Sequence, residues 1–116
     1  VQREGGLALL DERTGLDPDL PLGRALAFWF ALDDLWAPNE IRERLRLESL
    51  AEVPVRYLST GQKKRAALAR VLGQRAPIWL LDEPLSGLDT ASQALVSTLV
   101  QEHCAGGGIA LIASHQ

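Results

Sequence analysis

The chain has a single cysteine, Cys104, among its 116 residues, so it cannot form an internal disulfide. This cysteine and the two histidines show no spacing typical of a zinc site. No apolar run approaches the roughly 20 residues that a membrane-spanning helix needs, and the first residues do not resemble a signal peptide. These absences predict a protein of a reducing compartment that reaches a membrane only through a partner.

Charge of one sign does not dominate either. The formal net charge is -3, which gives no general electrostatic reason to bind nucleic acid, so no nucleic-acid partner is expected. Hydrophobic residues make up 47% and charged residues 23% of the chain, as in ordinary globular proteins. The length suits one domain or part of one. Because the first residue is Val1 and not Met, we expect a piece of a longer protein.

Three short apolar segments predict strands, at residues 5–10, 78–81 and 109–113. The second is a continuous apolar run, which predicts a central strand covered on both faces. Helical patterns separate the segments, including an aromatic one over residues 22–36. Core burial explains most of these aromatic residues, and any that stay exposed would suit contact with another protein. The alternation of strands and helices predicts right-handed parallel crossovers in an α/β sheet.

Two acidic residues, Asp82 and Glu83, follow the second predicted strand directly. The carboxyl ends of parallel strands face the crevice where α/β folds bind ligands. Asp82 could hold Mg²⁺ there, directly or through water, and Glu83 could accept a proton from a water that attacks a phosphate. Taken alone, the pair is better explained as an acidic turn after a buried strand.

Residues 58–62, Leu-Ser-Thr-Gly-Gln, precede another predicted helix. Ser59 and Gln62 have the spacing of a capping box, which satisfies the first N–H groups of the helix. The same small residues at a helix N-terminus also suit a phosphate, because they expose N–H groups and the positive end of the dipole. The basic residues 63–65 oppose that dipole and favour a nearby anion. Solvation alone could tolerate them.

These motifs occur in the order and spacing of one known family. Residues 58–62 resemble the signature loop of ABC ATP-binding subunits, and residues 78–83 resemble their Walker B strand. Residues 86–89 are similar to the family's D-loop, and His115 falls where the family has its switch histidine. Four ordered motifs make coincidence a poor explanation, and the resemblance covers essentially the whole chain.

Within this family, Trp79 in the Walker B strand and the terminal residues 114–116 are most similar to the haem exporter ATP-binding subunit of bacterial cytochrome c maturation. The resemblance implies a peripheral subunit at the cytoplasmic face of the bacterial inner membrane, bound to transmembrane permease subunits. It also implies a head-to-tail dimer with a second ATP-binding subunit, with ATP held between the two.

The implied fold is α/β, a partial P-loop NTPase (RecA-like) core with a helical subdomain in three α/β/α layers. Residues 13–75 would form the helical and signature part, and residues 76–116 the part with the Walker B strand, D-loop and switch histidine. The implied ligands are ATP and Mg²⁺. The resemblance makes Glu83 and His115 catalytic and gives the metal to Asp82. Nucleotide contacts would come from Glu12, Ser59, Gly61, Gln62, Asp82 and Asp89.

Three features depart from the family pattern. Thr60 places a β-branched side chain where the family has a small residue, and Glu12 occupies the place of the Q-loop glutamine. No G-x-x-x-x-G-K-[ST] loop occurs in the chain, although that loop supplies the phosphate cradle and its lysine. We therefore expect this chain alone to be inactive. Two alternatives stay open: an ABC ATPase for another substrate, and a truncated interaction module without turnover.

Overall fold

The computed structural model describes residues 6–34 and 38–114. Strands and helices alternate along them, with two short 3₁₀ turns at Glu48–Leu50 and Val55–Tyr57. The remaining elements, in chain order, are β1 Leu7–Leu10, α1 Leu22–Leu32, α2 Pro38–Arg44, α3 Thr60–Gln74, β2 Ile78–Asp82, α4 Thr90–Ala105 and β3 Ile109–Ala113.

The three strands form one parallel sheet in the order β1-β2-β3, so the predicted central position of β2 is confirmed. Leu10 pairs with Leu81, and Leu81 pairs with Ile112. Because strand order follows chain order without reversal, two right-handed crossovers place α3 and α4 on the same face of the sheet. The sheet edge where all three strands end carries the acidic residues that follow β1 and β2.

The face that carries the helices forms the core. Ala8, Leu10, Trp79 and Leu81 are at most 3% exposed, and they belong to one cluster with buried residues of α1, α3 and α4. The prediction that β2 is covered on both faces is wrong for this chain, because Ile78 and Leu80 on the other face are only half-buried.

This second face, which we call the open sheet face, continues onto the neighbouring strands. The register places Leu7 and Leu9 on one side of β2, and Ile109 and Leu111 on the other. Their side chains are 50–54% exposed. The described residues therefore supply the sheet and one helical layer.

Helix α1 is shorter than the sequence pattern predicts, since it ends at Leu32 with Asp33 as its C-cap. Part of the predicted helix, residues 35–36, lies outside the described residues. Phe30 is buried, whereas Phe28 is 58% exposed. The α2 helix begins at Pro38, where the fixed φ of proline suits the first turn. Across the described residues, no helix combines the length and hydropathy needed to span a bilayer.

Candidate functional site

A cleft of about 390 Å³ lies at the carboxyl ends of β1 and β2, beside the first turns of α3. Parallel strands end at the same sheet edge, so the acids that follow each strand come together there. The structure thereby places Glu12, Asp82 and Glu83 on one cleft. The full lining is Asp11, Glu12, Thr14, Thr60, Lys63, Lys64, Ala67, Asp82, Glu83 and Ser86.

The backbone of Glu83 is held in an unusual conformation. Its φ is 51°, in the left-handed region, which costs a non-glycine residue on the order of 1–3 kcal/mol. Three hydrogen bonds hold it there. The N–H of Glu83 donates to the carbonyl oxygen of Ala113 at 2.9 Å. Its carbonyl oxygen accepts from Lys64 Nζ at 2.5 Å and from the N–H of Ser86 at 3.3 Å. Strained residues fixed by their surroundings cluster at functional sites, so this geometry supports a functional role for Glu83.

Lys64 contributes to the site in a way that sequence reasoning missed. Burial lowers the pKa of Lys64, while the carboxylates of Glu83 and Asp82 act in the opposite direction. Its ammonium group therefore combines a backbone hydrogen bond with proximity to both acids. Arg65, its neighbour, donates to the carbonyl oxygen of Leu45 at 2.9 Å. Two of the three basic residues at this helix start thus have partners within the chain, which explains their placement without an anion.

The predicted capping box at the start of α3 is confirmed. Ser59 Oγ accepts from the N–H of Gln62 at 3.1 Å, and Gln62 Oε1 accepts from the N–H of Ser59 at 2.8 Å. Ser59 and Thr60 are exposed at this helix end. A phosphate role for the loop stays a prediction, since the box accounts for the positions of Ser59 and Gln62.

The structure explains why residue 61 is a glycine. A Cβ atom at this position would lie 3.2 Å from the carbonyl oxygen of Gly87 and 3.6 Å from Leu88 Cδ2. Thr60 packs on the same turn, since its Cγ2 lies 3.0 Å from the place of a Cβ at Gly87, where φ is 78°. The signature-like loop and the D-loop-like turn therefore touch within one chain, a contact that motif spacing does not reveal.

Asp89 is the N-cap of α4, and its Oδ1 accepts from the N–H of Ser92 at 2.8 Å. It does not line the acidic cleft, and neither do Ser59, Gly61 and Gln62. The structure thus separates the predicted site residues into two groups. His115, predicted to be catalytic, lies outside the described residues.

The N-cap of α4 predicts that the folding stability depends on pH. Hydrogen bonds to Ser92 lower the pKa of Asp89 below 3.8, with smaller contributions from Arg65 and Arg46. A lowered folded-state pKa means that the stabilisation is complete above the unfolded pKa and is lost as the pH falls through the folded pKa. Asparagine also caps helices but does not titrate. In the full-length protein, we expect Asp89→Asn to be less stable than the parent at pH 7, with the difference shrinking below about pH 4.

Urea unfolding midpoints of the parent and Asp89→Asn proteins, measured between pH 7 and pH 3, check this expectation. A stability difference that stays constant over that range would show that the charge of Asp89 does not strengthen the cap.

The residues of the cleft can supply only part of the coordination shell of a Mg²⁺ ion. Within the described part of the chain, no group of three or more His, Cys, Asp or Glu residues could hold a metal ion. Mg²⁺ usually takes one or two protein carboxylates and completes its shell with water and substrate phosphates. Asp82, half-buried at the end of β2, can supply one such carboxylate. The donor set therefore suits a magnesium ion that arrives with a phosphate.

Comparison with known proteins identifies the family of this chain. Residues 2–86 match the family model described as ABC transporter. The chain belongs to the ABC transporter family. This ABC chain is 53% identical over all of its 116 residues to the "Cytochrome c biogenesis ATP-binding export protein CcmA" of Novosphingobium aromaticivorans, of which it covers 59%. It is 49% identical to the protein of the same name from Sphingopyxis alaskensis, with 99% of this chain and 60% of that protein covered. It thus spans about 60% of the length of these relatives.

Solved ABC cassettes share the fold. The dimeric bacterial ABC transporter cassette MJ0796 superposes with a TM-score of 0.78 at 21% identity, covering 94% of this chain and 52% of the cassette chain. The cbiO1 protein of Clostridium perfringens, part of the ABC transporter complex cbiONQ, gives a TM-score of 0.69 at 28% identity, covering 96% of this chain and 47% of its own. The predicted α/β fold of an ABC ATPase core is confirmed.

Proposed function

We propose that the full-length protein containing this chain hydrolyses ATP to drive an ABC exporter, and that the exported cargo is haem for cytochrome c maturation. The observation that carries the proposal is the cleft where Glu12, Asp82 and Glu83 meet at the ends of two parallel strands. The relatives, named for ATP-binding export in cytochrome c biogenesis, support the cargo, because haem is the group that c-type cytochromes carry.

The two acids of the cleft have different roles in this proposal. Glu83 takes the proton of the attacking water, since it lines the cleft and its backbone is held there by hydrogen bonds. Asp82 holds Mg²⁺, which when bound supplies positive charge against the phosphates. Lys64 lies close to both carboxylates, and its ammonium group donates to the carbonyl oxygen of Glu83. Glu12 stands on the loop after β1, where it borders the same cleft.

The signature-like loop acts in a second subunit. Ser59 and Gly61 lie outside the acidic cleft of their own chain, at an exposed helix N-terminus that can bind a phosphate of a neighbour's nucleotide. Asp89 and Gln62 support this loop region through helix caps. In the assembled protein, Asp82, Glu83 and His115 serve the nucleotide of their own subunit. The dimer binds permease subunits at the cytoplasmic face of the bacterial inner membrane.

A magnesium titration of ATPase activity tests the proposal. We expect the full-length protein to hydrolyse ATP, and Asp82→Asn to raise the half-saturating Mg²⁺ concentration at least about tenfold, because the amide gives up a charged ligand. The matched control is Asp34→Asn, at an exposed turn with φ of 51°, a conformation that asparagine tolerates. The isolated chain should release no phosphate, since it lacks the phosphate loop.

The cargo is tested separately in cells. Deletion of the gene should remove haem staining of c-type cytochromes, and the parent gene but not the Asp82→Asn gene should restore it. Normal cytochromes in the deletion strain would point to an ABC ATPase for another substrate. A parent protein without turnover would instead favour a non-catalytic interaction module.

A further inference from the structure

Arg70, in the middle of α3, contacts two elements that are far apart in sequence. Its guanidinium lies 3.8 Å from the ring centroid of Trp29 in α1, in a cation–π contact. Its Nη1 donates to the carbonyl oxygen of Thr14 at 3.1 Å. A single side chain thus joins α3, α1 and the loop that follows β1.

The loop is shaped around this arginine. Gly15 has a φ of 70°, and a Cβ atom built there would lie only 2.4 Å from Arg70 Nη1. Any residue with a side chain would therefore meet both backbone strain and the guanidinium. Next to it, Leu16 is buried in the core, and its N–H donates to Thr14 Oγ1 at 3.1 Å. The loop is consequently fixed on one side by Arg70 and on the other by the core.

The same loop forms one wall of the acidic cleft. Glu12 and Thr14 both line the cleft together with Asp82 and Glu83. Only one residue lies between Glu12 and Thr14. The hydrogen bond from Arg70 to the carbonyl oxygen of Thr14 therefore restricts the position of Glu12. Arg70 itself is not part of the cleft lining, so any influence that it has on the chemistry passes through the loop.

The other partner of Arg70 is Trp29 in α1. Trp29 is half-buried, packs against the core and meets the exposed ring of Phe28 edge to face at 5.3 Å. Burial lowers the pKa of Arg70, and the carboxylate of Asp33 opposes that shift. The guanidinium stays charged, since its ordinary pKa lies far above neutrality. Because the guanidinium stacks on Trp29 and donates to the carbonyl oxygen of Thr14, its position depends on the positions of both residues.

We propose that Arg70 is a positioning residue for the acidic cleft, which couples the position of α1, through Trp29 and Thr14, to that of Glu12. This role rests on the proposed ATP hydrolysis for its catalytic effect. Lysine keeps the charge but loses the planar stack and the fork of donors. Arg70→Lys should therefore loosen the loop without removing a buried charge.

The chain offers a matched control. Arg42 is also half-buried, and its guanidinium lies 5.3 Å from the ring centroid of Phe30, but its Nη1 bonds to Asn39 within α2. Arg42→Lys thus disturbs a similar cation–π contact that does not reach the loop. Trp29→Leu disturbs the Arg70 stack from the α1 side.

Amide hydrogen exchange in the full-length protein tests the link directly. Arg70→Lys and Trp29→Leu should speed exchange at residues 12–16 by about fivefold or more, since the loop opens more often. Arg42→Lys should leave these amides unchanged. This measurement needs no ATPase activity, so it still tests the link if the proposed function fails. Equal acceleration in all three variants, or none in Arg70→Lys, would overturn the proposal.

A double-mutant cycle tests the route to the chemistry. Arg70→Lys should lower kcat about tenfold, with little change in the nucleotide Kd. The reason is that the loosened loop displaces Glu12, which acts at the reacting centre. In a Glu12→Ala background, the same substitution should lower kcat less than about twofold, since coupled residues are not additive. A tenfold loss in both backgrounds would mean that Arg70 acts on general stability and not through Glu12.

Discussion

Replacing Glu83 with glutamine in the full-length protein is expected to reduce ATP turnover by about 10²–10⁴-fold, the usual contribution of a general base. The amide keeps the shape of the side chain but cannot take a proton near neutral pH. Because glutamine has the same backbone preferences, the hydrogen bonds to Lys64 and Ala113 should persist. Nucleotide binding should therefore survive while turnover is lost.

Steady-state phosphate release and a nucleotide binding titration check both parts. Glu52→Gln, at an exposed turn away from the cleft, is the matched control and should keep the parental rate. If the Glu83→Gln protein hydrolysed ATP as fast as the parent, Glu83 would not be the base, and another proton acceptor would have to be sought.

A mixed dimer of two inactive variants is expected to hydrolyse ATP, although neither variant does so as a homodimer. One subunit carries an intact phosphate loop and a disabled signature loop, and the other carries Ser59, Gly61 and a disabled phosphate loop. If the loop acts across the interface, one composite site remains in this pair. Ser59→Arg in the second subunit should then abolish turnover, because the long side chain occupies the place of a phosphate.

The capping box makes a stability control necessary. Loss of the Ser59 cap alone should cost about 0.5–2 kcal/mol, as measured with Ser59→Ala. Thermal melts of each variant beside the ATPase rates separate an unfolded helix from a blocked site. A folded Ser59→Arg pair with full activity would leave helix capping as the only role of Ser59.

Local chemistry made several parts of this structure predictable. The capping box of Ser59 and Gln62 depends on residues three apart, so a sequence pattern contains all of the required information. The central place of β2 followed from its continuous apolar run. The meeting of Glu12 with Asp82 and Glu83 was implied by family resemblance and not by local pattern.

Other parts depend on neighbours that sequence spacing does not identify. The apolar run of β2 predicted cover on both faces, but which faces are covered depends on where the crossovers of the whole sheet pass. The left-handed backbone of Glu83 is set by Lys64 and Ala113, at 19 and 30 positions away. The stack of Arg70 on Trp29 joins two helices. No local motif signals either contact.

The open sheet face has a thermodynamic consequence for the isolated chain. Heat capacity rises on unfolding because apolar surface becomes hydrated. Leu7, Leu9, Ile109 and Leu111 already contact solvent with half of their surface in the folded chain, so unfolding has less apolar area left to hydrate. The heat-capacity increment should be smaller than that of an equally long domain with both sheet faces covered. The curve of free energy against temperature is then flatter, and cooling weakens this chain less than it weakens a fully enclosed domain.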